Sequence, residues 1–181
     1  MVGVLIYLDD GMGIFPWVVL SAVIHELGHI VVCLLFGSRV EAIALSAVGA
    51  ELRFFYPIQL TYGKESLIAL AGPAANALLG VAALLFDSYF LSVTSFGLGA
   101  FNLLPILPLD GGRVLSNFIS ELVNPMAADR VLAISEGVLI GILLGIGAVA
   151  ALNYANIMLL MVSIWLLFGC IRKKNHFSQN K

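Results

Sequence analysis

Long apolar runs separated by short polar stretches make up most of the chain. A helix needs about 20 apolar residues to cross a hydrocarbon layer about 30 Å thick, and five runs approach that length. They predict an all-α polytopic membrane protein with about five transmembrane helices, at Gly13–Phe36, Ser66–Phe86, Tyr89–Leu107, Val131–Ala151 and Tyr154–Ile171.

The last two apolar runs should form a hairpin. A continuous helix from Val131 to Ile171 would be about 60 Å long, twice the membrane thickness. Asn153-Tyr154 is therefore the expected turn. The opening run Val2–Leu8 is too short to span, and the sequence leaves open whether a further N-terminal helix exists.

Residues 37–65 interrupt the series of spans. Arg39–Phe55 alternates apolar and polar positions in patches, which is typical of strands, and Gly49 offers a turn. Bare backbone cannot face lipid, because its polar groups would go unpaired. We therefore expect a short β-hairpin-like segment on the cytoplasmic side.

Composition agrees with a membrane location. The chain is 61% hydrophobic and 11% charged, whereas a soluble domain carries roughly 25% charged residues. The net charge of −2 and the absence of a basic face argue against a nucleic-acid partner. We expect one membrane domain over 1–181, with a core at 13–113, a helical hairpin at 131–171 and a cytoplasmic tail at 172–181.

Basic residues indicate the orientation of the chain. Lys and Arg are enriched in cytoplasmic loops, so Arg172-Lys173-Lys174 predicts a cytoplasmic C-terminus. Counting back through five spans places all nine basic residues inside and Asp9 and Asp10 outside.

The first long apolar run contains a cluster of ionisable side chains. Besides Cys33, its only ionisable side chains are His25, Glu26 and His29, and burying such groups in hydrocarbon is costly. Residues four apart lie on one helix face, so both imidazoles can bind one ion. Glu26 projects about a quarter turn away, where it can act on metal-bound water. This is the HExxH arrangement of zinc proteases, and it is favoured over two ordinary core histidines.

A third ligand is needed, because a catalytic zinc takes three protein ligands and keeps one position open. The spans hold no third histidine, so a carboxylate or Cys33 must serve. Cys33 lies about 12 Å along the axis from His25 and is expected to be a small buried side chain. Asp110 is the better candidate. The prolines and glycines of NLLPILPLDGG break the helix there, and its expected depth matches that of His29.

Three motifs resemble, in order, the signatures of the site-2 protease family of intramembrane zinc metalloproteases. They are HELGH, AGPAAN (Ala71–Asn76) and NLLPILPLDGG (Asn102–Gly112). The last is most similar to the branch whose members activate a sporulation sigma factor by cleaving its membrane-associated precursor. The resemblance covers about residues 13–113, as a three-helix catalytic core.

The resemblance implies a ligand set and an activity. It implies that His25, His29 and Asp110 bind one zinc ion per chain and that Glu26 is the catalytic base. The expected substrate is a transmembrane protein in the lipid bilayer, cut in or near its membrane segment. A bacterial cell membrane is the implied location, with the site towards the cytoplasmic side. Any regulatory membrane partner stays unidentified.

Three further polar residues have open roles. Asn76 and Asn102 are each expected either to stabilise a developing oxyanion or to hydrogen-bond across helices as structural residues near the site. Glu136 is interpreted as an interfacial residue near Arg130, in preference to a supporting or gating role.

The rival interpretation is a membrane metal transporter or a metal-dependent scaffold with the same ligands. A transporter needs polar residues along a continuous path across the membrane. Outside the cytoplasmic half the spans offer few, and Glu26 would be superfluous.

Overall fold

The computed structural model describes residues 13–37, 39–46, 49–55, 60–154 and 157–179. The chain divides into two compact units, residues 1–102 and 103–181. The opening run Val2–Leu8 lies outside the described residues.

The first unit holds three helices, which are α1 (Phe15–Leu35), α2 (Tyr62–Leu85) and α3 (Tyr89–Asn102). Helix α1 packs on α2 and α3, and α2 packs on α3. Ser21 Oγ of α1 lies 2.8 Å from Ser95 Oγ of α3, and both side chains are buried. Such interhelical hydrogen bonds and small residues stabilise helix pairs where the hydrophobic effect cannot.

Two antiparallel strands lie between α1 and α2 in the chain. They are β1 (Arg39–Ser46) and β2 (Gly49–Phe55). The register pairs Ser46 with Gly49, and it shifts between Val40 and Ala42. The segment for which the sequence predicts a β-hairpin contains this pair, and its placement on the cytoplasmic side stays a prediction.

The second unit begins with an irregular segment at residues 103–109. Three helices follow, which are α4 (Asp110–Leu122), α5 (Pro125–Tyr154) and α6 (Met158–Gln179). Helix α5 packs on both α4 and α6. A Cβ added to Gly147 would lie 2.8 Å from the Leu160 backbone nitrogen, so α5 and α6 approach closely there.

Three of the described helices are long and apolar enough to cross a membrane, namely Phe15–Leu35, Tyr62–Leu85 and Pro125–Asn153. Large apolar side chains such as Leu35, Leu78 and Val138 are exposed on them. Exposed apolar surface of this extent suits lipid. Helix α3 has 14 residues and would be about 21 Å long, so the count of five spans stays a prediction.

Several boundaries differ from those predicted. The helix expected to reach Leu107 ends at Asn102, because Pro105 and Pro108 offer no N–H to continue the ladder. The backbone turns instead, with Ile106 donating to Leu104 O at 2.8 Å.

The second unit also departs from the sequence-based expectations. Helix α5 begins at Pro125, six positions before the predicted start at Val131, and α4 was not predicted. Gly111 and Gly112, which were expected to break a helix, lie in the first turn of α4. Glycine is required there by close packing, because a Cβ at Gly111 would overlap the Leu103 carbonyl and one at Gly112 would lie 2.6 Å from the Ile106 carbonyl carbon.

Candidate metal centre

The two histidines of HELGH share one face of α1, as their spacing requires. His25 is buried and His29 is half-buried. Their rings meet edge to face, with centroids 4.8 Å apart. Their Nε2 atoms are 3.2 Å apart. The two side chains therefore converge on one point through the same ring atom.

The carbonyl of Ile68 in α2 fixes the ring of His29. His29 Nδ1 donates to Ile68 O at 2.8 Å. Since a carbonyl can only accept, the Nδ1 atom of His29 carries the hydrogen, and Nε2 of the neutral ring carries a lone pair. This is the tautomer that a metal ligand requires.

Asn76 of α2 holds the ring of His25. Its Nδ2 lies 3.1 Å from His25 Nδ1, and the side chain is fully buried. Its Oδ1 is buried without a hydrogen-bond partner among the described residues. If both Nε2 atoms are to offer lone pairs, the proton of His25 must lie on Nδ1. Asn76 can accept that proton through Oδ1 after a half-turn of its amide.

Glycines let α2 approach this face of α1. A Cβ added to Gly28, which lies between the histidines, would be 2.6 Å from the Ala71 carbonyl oxygen. A Cβ added to Gly72 would overlap the ring of His29 and lie 2.8 Å from Cε1 of His25. The imidazoles therefore occupy the space that a side chain at Gly72 would fill.

Glu26 lies on α1 between the two histidines in sequence, and its side chain is exposed. An exposed carboxylate one residue from a candidate metal ligand is accessible to water. This arrangement suits a general base better than a ligand position.

Asp110 belongs to the second unit, where it is the first residue of α4. It is buried, with 7% of its surface exposed. A carboxylate at a helix N-terminus is stabilised by the N–H groups and the dipole of that helix. Close packing fixes its backbone, because a Cβ added to Gly111 would overlap the Leu103 carbonyl and one added to Gly112 would lie 2.6 Å from Ile106.

The remaining candidates occupy different settings. Asn102 donates through Nδ2 to Leu98 O of its own helix at 3.0 Å. Cys33 is buried, with 1% exposure. Glu136 is half-buried and accepts a hydrogen bond from the Leu107 amide at 3.0 Å. This contact favours the supporting role over the interpretation as an interfacial residue near Arg130. The sequence signal for this contact is an ionisable side chain within an apolar helix, which needs a polar partner.

The first unit passes a test for zinc on its own geometry. Zinc–nitrogen bonds are about 2.0–2.1 Å long and tetrahedral angles are near 109°. Two Nε2 atoms 3.2 Å apart can both meet one ion at that length. Each ring also has a partner at Nδ1, which is the usual support of a histidine that binds metal. The residues present therefore fit a zinc ion.

Comparisons with known proteins agree with these features. The sequence profile described as Peptidase M50B-like matches residues 2–109, more than half of the chain. The chain belongs to the M50 peptidase family. A second profile, Peptidase family M50, matches residues 87–146.

Individual M50 relatives match most of this chain. A zinc metalloprotease of Methanocaldococcus jannaschii is 29% identical over 86% of this chain and 48% of its own length. Stage IV sporulation protein FB of Bacillus subtilis is 28% identical over 82% of this chain and 52% of its own length. The chain thus spans about half the length of these curated relatives. These two relatives are about equally similar to this chain, so membership of the sporulation branch stays a prediction.

A solved structure supports the M50 assignment at the level of the fold. The site-2 protease from Methanocaldococcus jannaschii superposes with a TM-score of 0.66 and 29% identity, covering 87% of this chain and 76% of that protein. The resemblance to the site-2 protease family is therefore confirmed, and the chain is an integral membrane protein of that family.

Proposed function

We propose that this chain is an intramembrane zinc metalloendopeptidase that cuts membrane proteins in or near their transmembrane segments. The observation that carries the proposal is the pair of Nε2 atoms 3.2 Å apart on a helix of membrane-spanning length. Membership of a peptidase family supports it. It is also supported by the named activity of relatives, which are zinc metalloproteases.

The proposed ligands are His25, His29 and Asp110, with one zinc per chain. Two imidazoles and one carboxylate form a set used by catalytic zinc, which leaves a fourth position for water or substrate. Asp110 is supported by its burial at the start of α4 and by its place in the PLDGG motif.

Glu26 is the proposed catalytic base. A zinc ion held by His25, His29 and Asp110 would lower the pKa of a water molecule towards 7 and would polarise the carbonyl of the peptide bond that is cut. Glu26 accepts the proton of the attacking water and passes it to the leaving amine. Asn76 and Ile68 hold the histidine rings during this step. Asn102 has its amide turned towards Leu98, which favours a structural role over oxyanion stabilisation.

The substrate is proposed to be a transmembrane segment that unwinds locally, because a helical peptide bond is shielded. The described sheet has two strands, so β1 and β2 each have one edge that the other does not use. Strand addition at such an edge would hold an extended substrate. In the proposed arrangement of five spans the site lies towards the cytoplasmic side, because His29 is about 10 Å from the end of α1.

Glu26→Gln tests the proposal. The variant keeps a polar side chain of the same length but cannot accept the proton, so cleavage should fall at least about a hundredfold while zinc content stays at one per chain. We would compare membrane-protein fragments by proteomics in cells that express wild type or Glu26→Gln, and measure zinc in both purified proteins. Glu65→Gln, which changes an exposed carboxylate of α2, is the matched control.

Other outcomes would contradict parts of the proposal. Fragments that accumulate equally with Glu26→Gln would exclude proteolysis by this site. Unchanged zinc content in Asp110→Ala would exclude Asp110 as a ligand. The family assignment disfavours a metal transporter or scaffold, for which Glu26→Gln should leave function intact.

A further inference from the structure

The irregular segment 103–109, which leads into Asp110, is held by side chains from two helices. The Leu107 amide donates to Glu136 Oε1 of α5 at 3.0 Å. The Cys170 thiol of α6 donates to the Leu107 carbonyl at 3.3 Å. Both backbone polar groups of Leu107 are thus engaged by side chains.

Such partners are needed because the backbone here is not helical. Irregular backbone at membrane depth is tolerated only where protein or water satisfies its polar groups. Ser135, the neighbour of Glu136 on α5, donates through Oγ to the Pro105 carbonyl at 2.9 Å. Two adjacent polar residues of an apolar helix therefore serve the same seven-residue segment, at positions 103–109.

The segment and the start of α4 form one closely packed piece. A Cβ at Gly111 would overlap the Leu103 carbonyl, and one at Gly112 would lie 2.6 Å from the Ile106 carbonyl carbon and 2.7 Å from the Leu107 nitrogen. A displacement at Leu107 would therefore be transmitted to the first turn of α4, where Asp110 lies.

We infer that Glu136 is a positioning residue, whose hydrogen bond to the Leu107 amide sets the place of Asp110. The inference rests on the proposed function in so far as Asp110 is a zinc ligand. The hydrogen bond to the Leu107 amide requires an acceptor oxygen on residue 136 and does not require a negative charge there. Glu136→Gln retains an oxygen acceptor at the same distance along the side chain, whereas Glu136→Met has similar length and leaves the Leu107 N–H unpaired.

The experiment uses the full chain in lipid nanodiscs, with two readouts. Hydrogen–deuterium exchange followed by mass spectrometry reports on the peptide covering 103–110, and competition with a chromophoric chelator reports the zinc Kd. With Glu136→Met, the Leu107 amide should exchange about tenfold faster, and zinc should bind about tenfold more weakly. Glu136→Gln should match wild type in both. Glu121→Met, at an exposed carboxylate of α4, is the control.

Each outcome decides the inference. Unchanged exchange at 103–110 in Glu136→Met overturns it, and so does equal impairment of Glu136→Gln. Faster exchange throughout α5 and α6 in Glu136→Met would indicate a general loss of structure, and Glu136→Gln then decides. Wild-type exchange at 103–110 and a wild-type zinc Kd in Glu136→Gln would support the inference, and impairment of either would overturn it. If wild type binds no zinc, the proposed function fails while exchange still tests the contact at Leu107.

Discussion

The two histidines of HELGH depend on groups outside their own motif. Ile68 contributes a backbone carbonyl to His29, and Asn76 contributes a side-chain amide to His25. Both partners lie on α2, eight positions apart on a continuous helix. A single residue of α2 is therefore expected to influence how tightly a metal binds to α1.

Replacing Asn76 should test this at the scale of one residue. Asn76→Leu removes the acceptor for the Nδ1 proton of His25, and zinc affinity should fall about 10- to 100-fold. Asn76→Asp keeps an oxygen acceptor at that place, so its zinc Kd should stay close to that of wild type. The measurement is chelator competition on purified protein.

Ser95→Ala is the control for the Asn76 variants. It removes another fully buried polar side chain of the same unit, bonded to Ser21 and not to a histidine. Its zinc Kd should equal that of wild type. A similar loss of affinity in Ser95→Ala and Asn76→Leu would contradict a specific role for Asn76.

The shared helix face of His25 and His29 could be predicted from the sequence, whereas the hydrogen-bond partners of the residues around the site could not. The four-residue spacing of His25 and His29 fixes a common helix face whatever surrounds it. The partner of Glu136 is a backbone N–H in an irregular segment, and no periodic pattern in the sequence predicts such a contact. An isolated carboxyl group in an apolar run shows that a partner is needed but not which one.

At the scale of helices, the approach of α2 to α1 depends on Gly72. Gly72→Ala would place a Cβ against the rings of both histidines, so we expect zinc affinity to fall at least about tenfold. Gly63→Ala, on the same helix, adds its Cβ where nothing lies within 4 Å. It should leave the zinc Kd unchanged and raise the free energy of unfolding by up to about 1 kcal/mol. Equal zinc affinity in both variants would contradict the close approach at Gly72.

Helix boundaries were predictable where apolar runs are long and unpredictable where tertiary packing decides. Apolar length alone located the cores of α1 and α2. Helix α4 was missed, although Leu115, Ile119 and Leu122 recur at helical spacing. Considered alone, the Gly111-Gly112 pair suggests an interruption of the helix. In the structure the pair lets the segment before α4 pack closely on that helix.

At the scale of the whole molecule, composition indicates a membrane protein, and the distribution of charge predicts its orientation in the membrane. A chain with 61% hydrophobic residues cannot bury them all in a soluble fold of this size. The cluster of basic residues at the C-terminus indicates the cytoplasmic side. With five spans, α5 would run from the inside to the outside, and its two ends would lie on opposite faces of the membrane.

Two cysteine substitutions that flank α5 test this orientation. In intact cells, Asn153→Cys should react with a membrane-impermeant maleimide, because that end of α5 is expected outside. Glu121→Cys, just before α5, should react only after permeabilisation. Both positions are exposed, so lack of access through burial does not explain protection. Wild type, which has Cys33 and Cys170, gives the background labelling. The opposite pattern would invert the topology and move the site to the outer face, and labelling of both positions from one side would show that α5 does not cross the membrane.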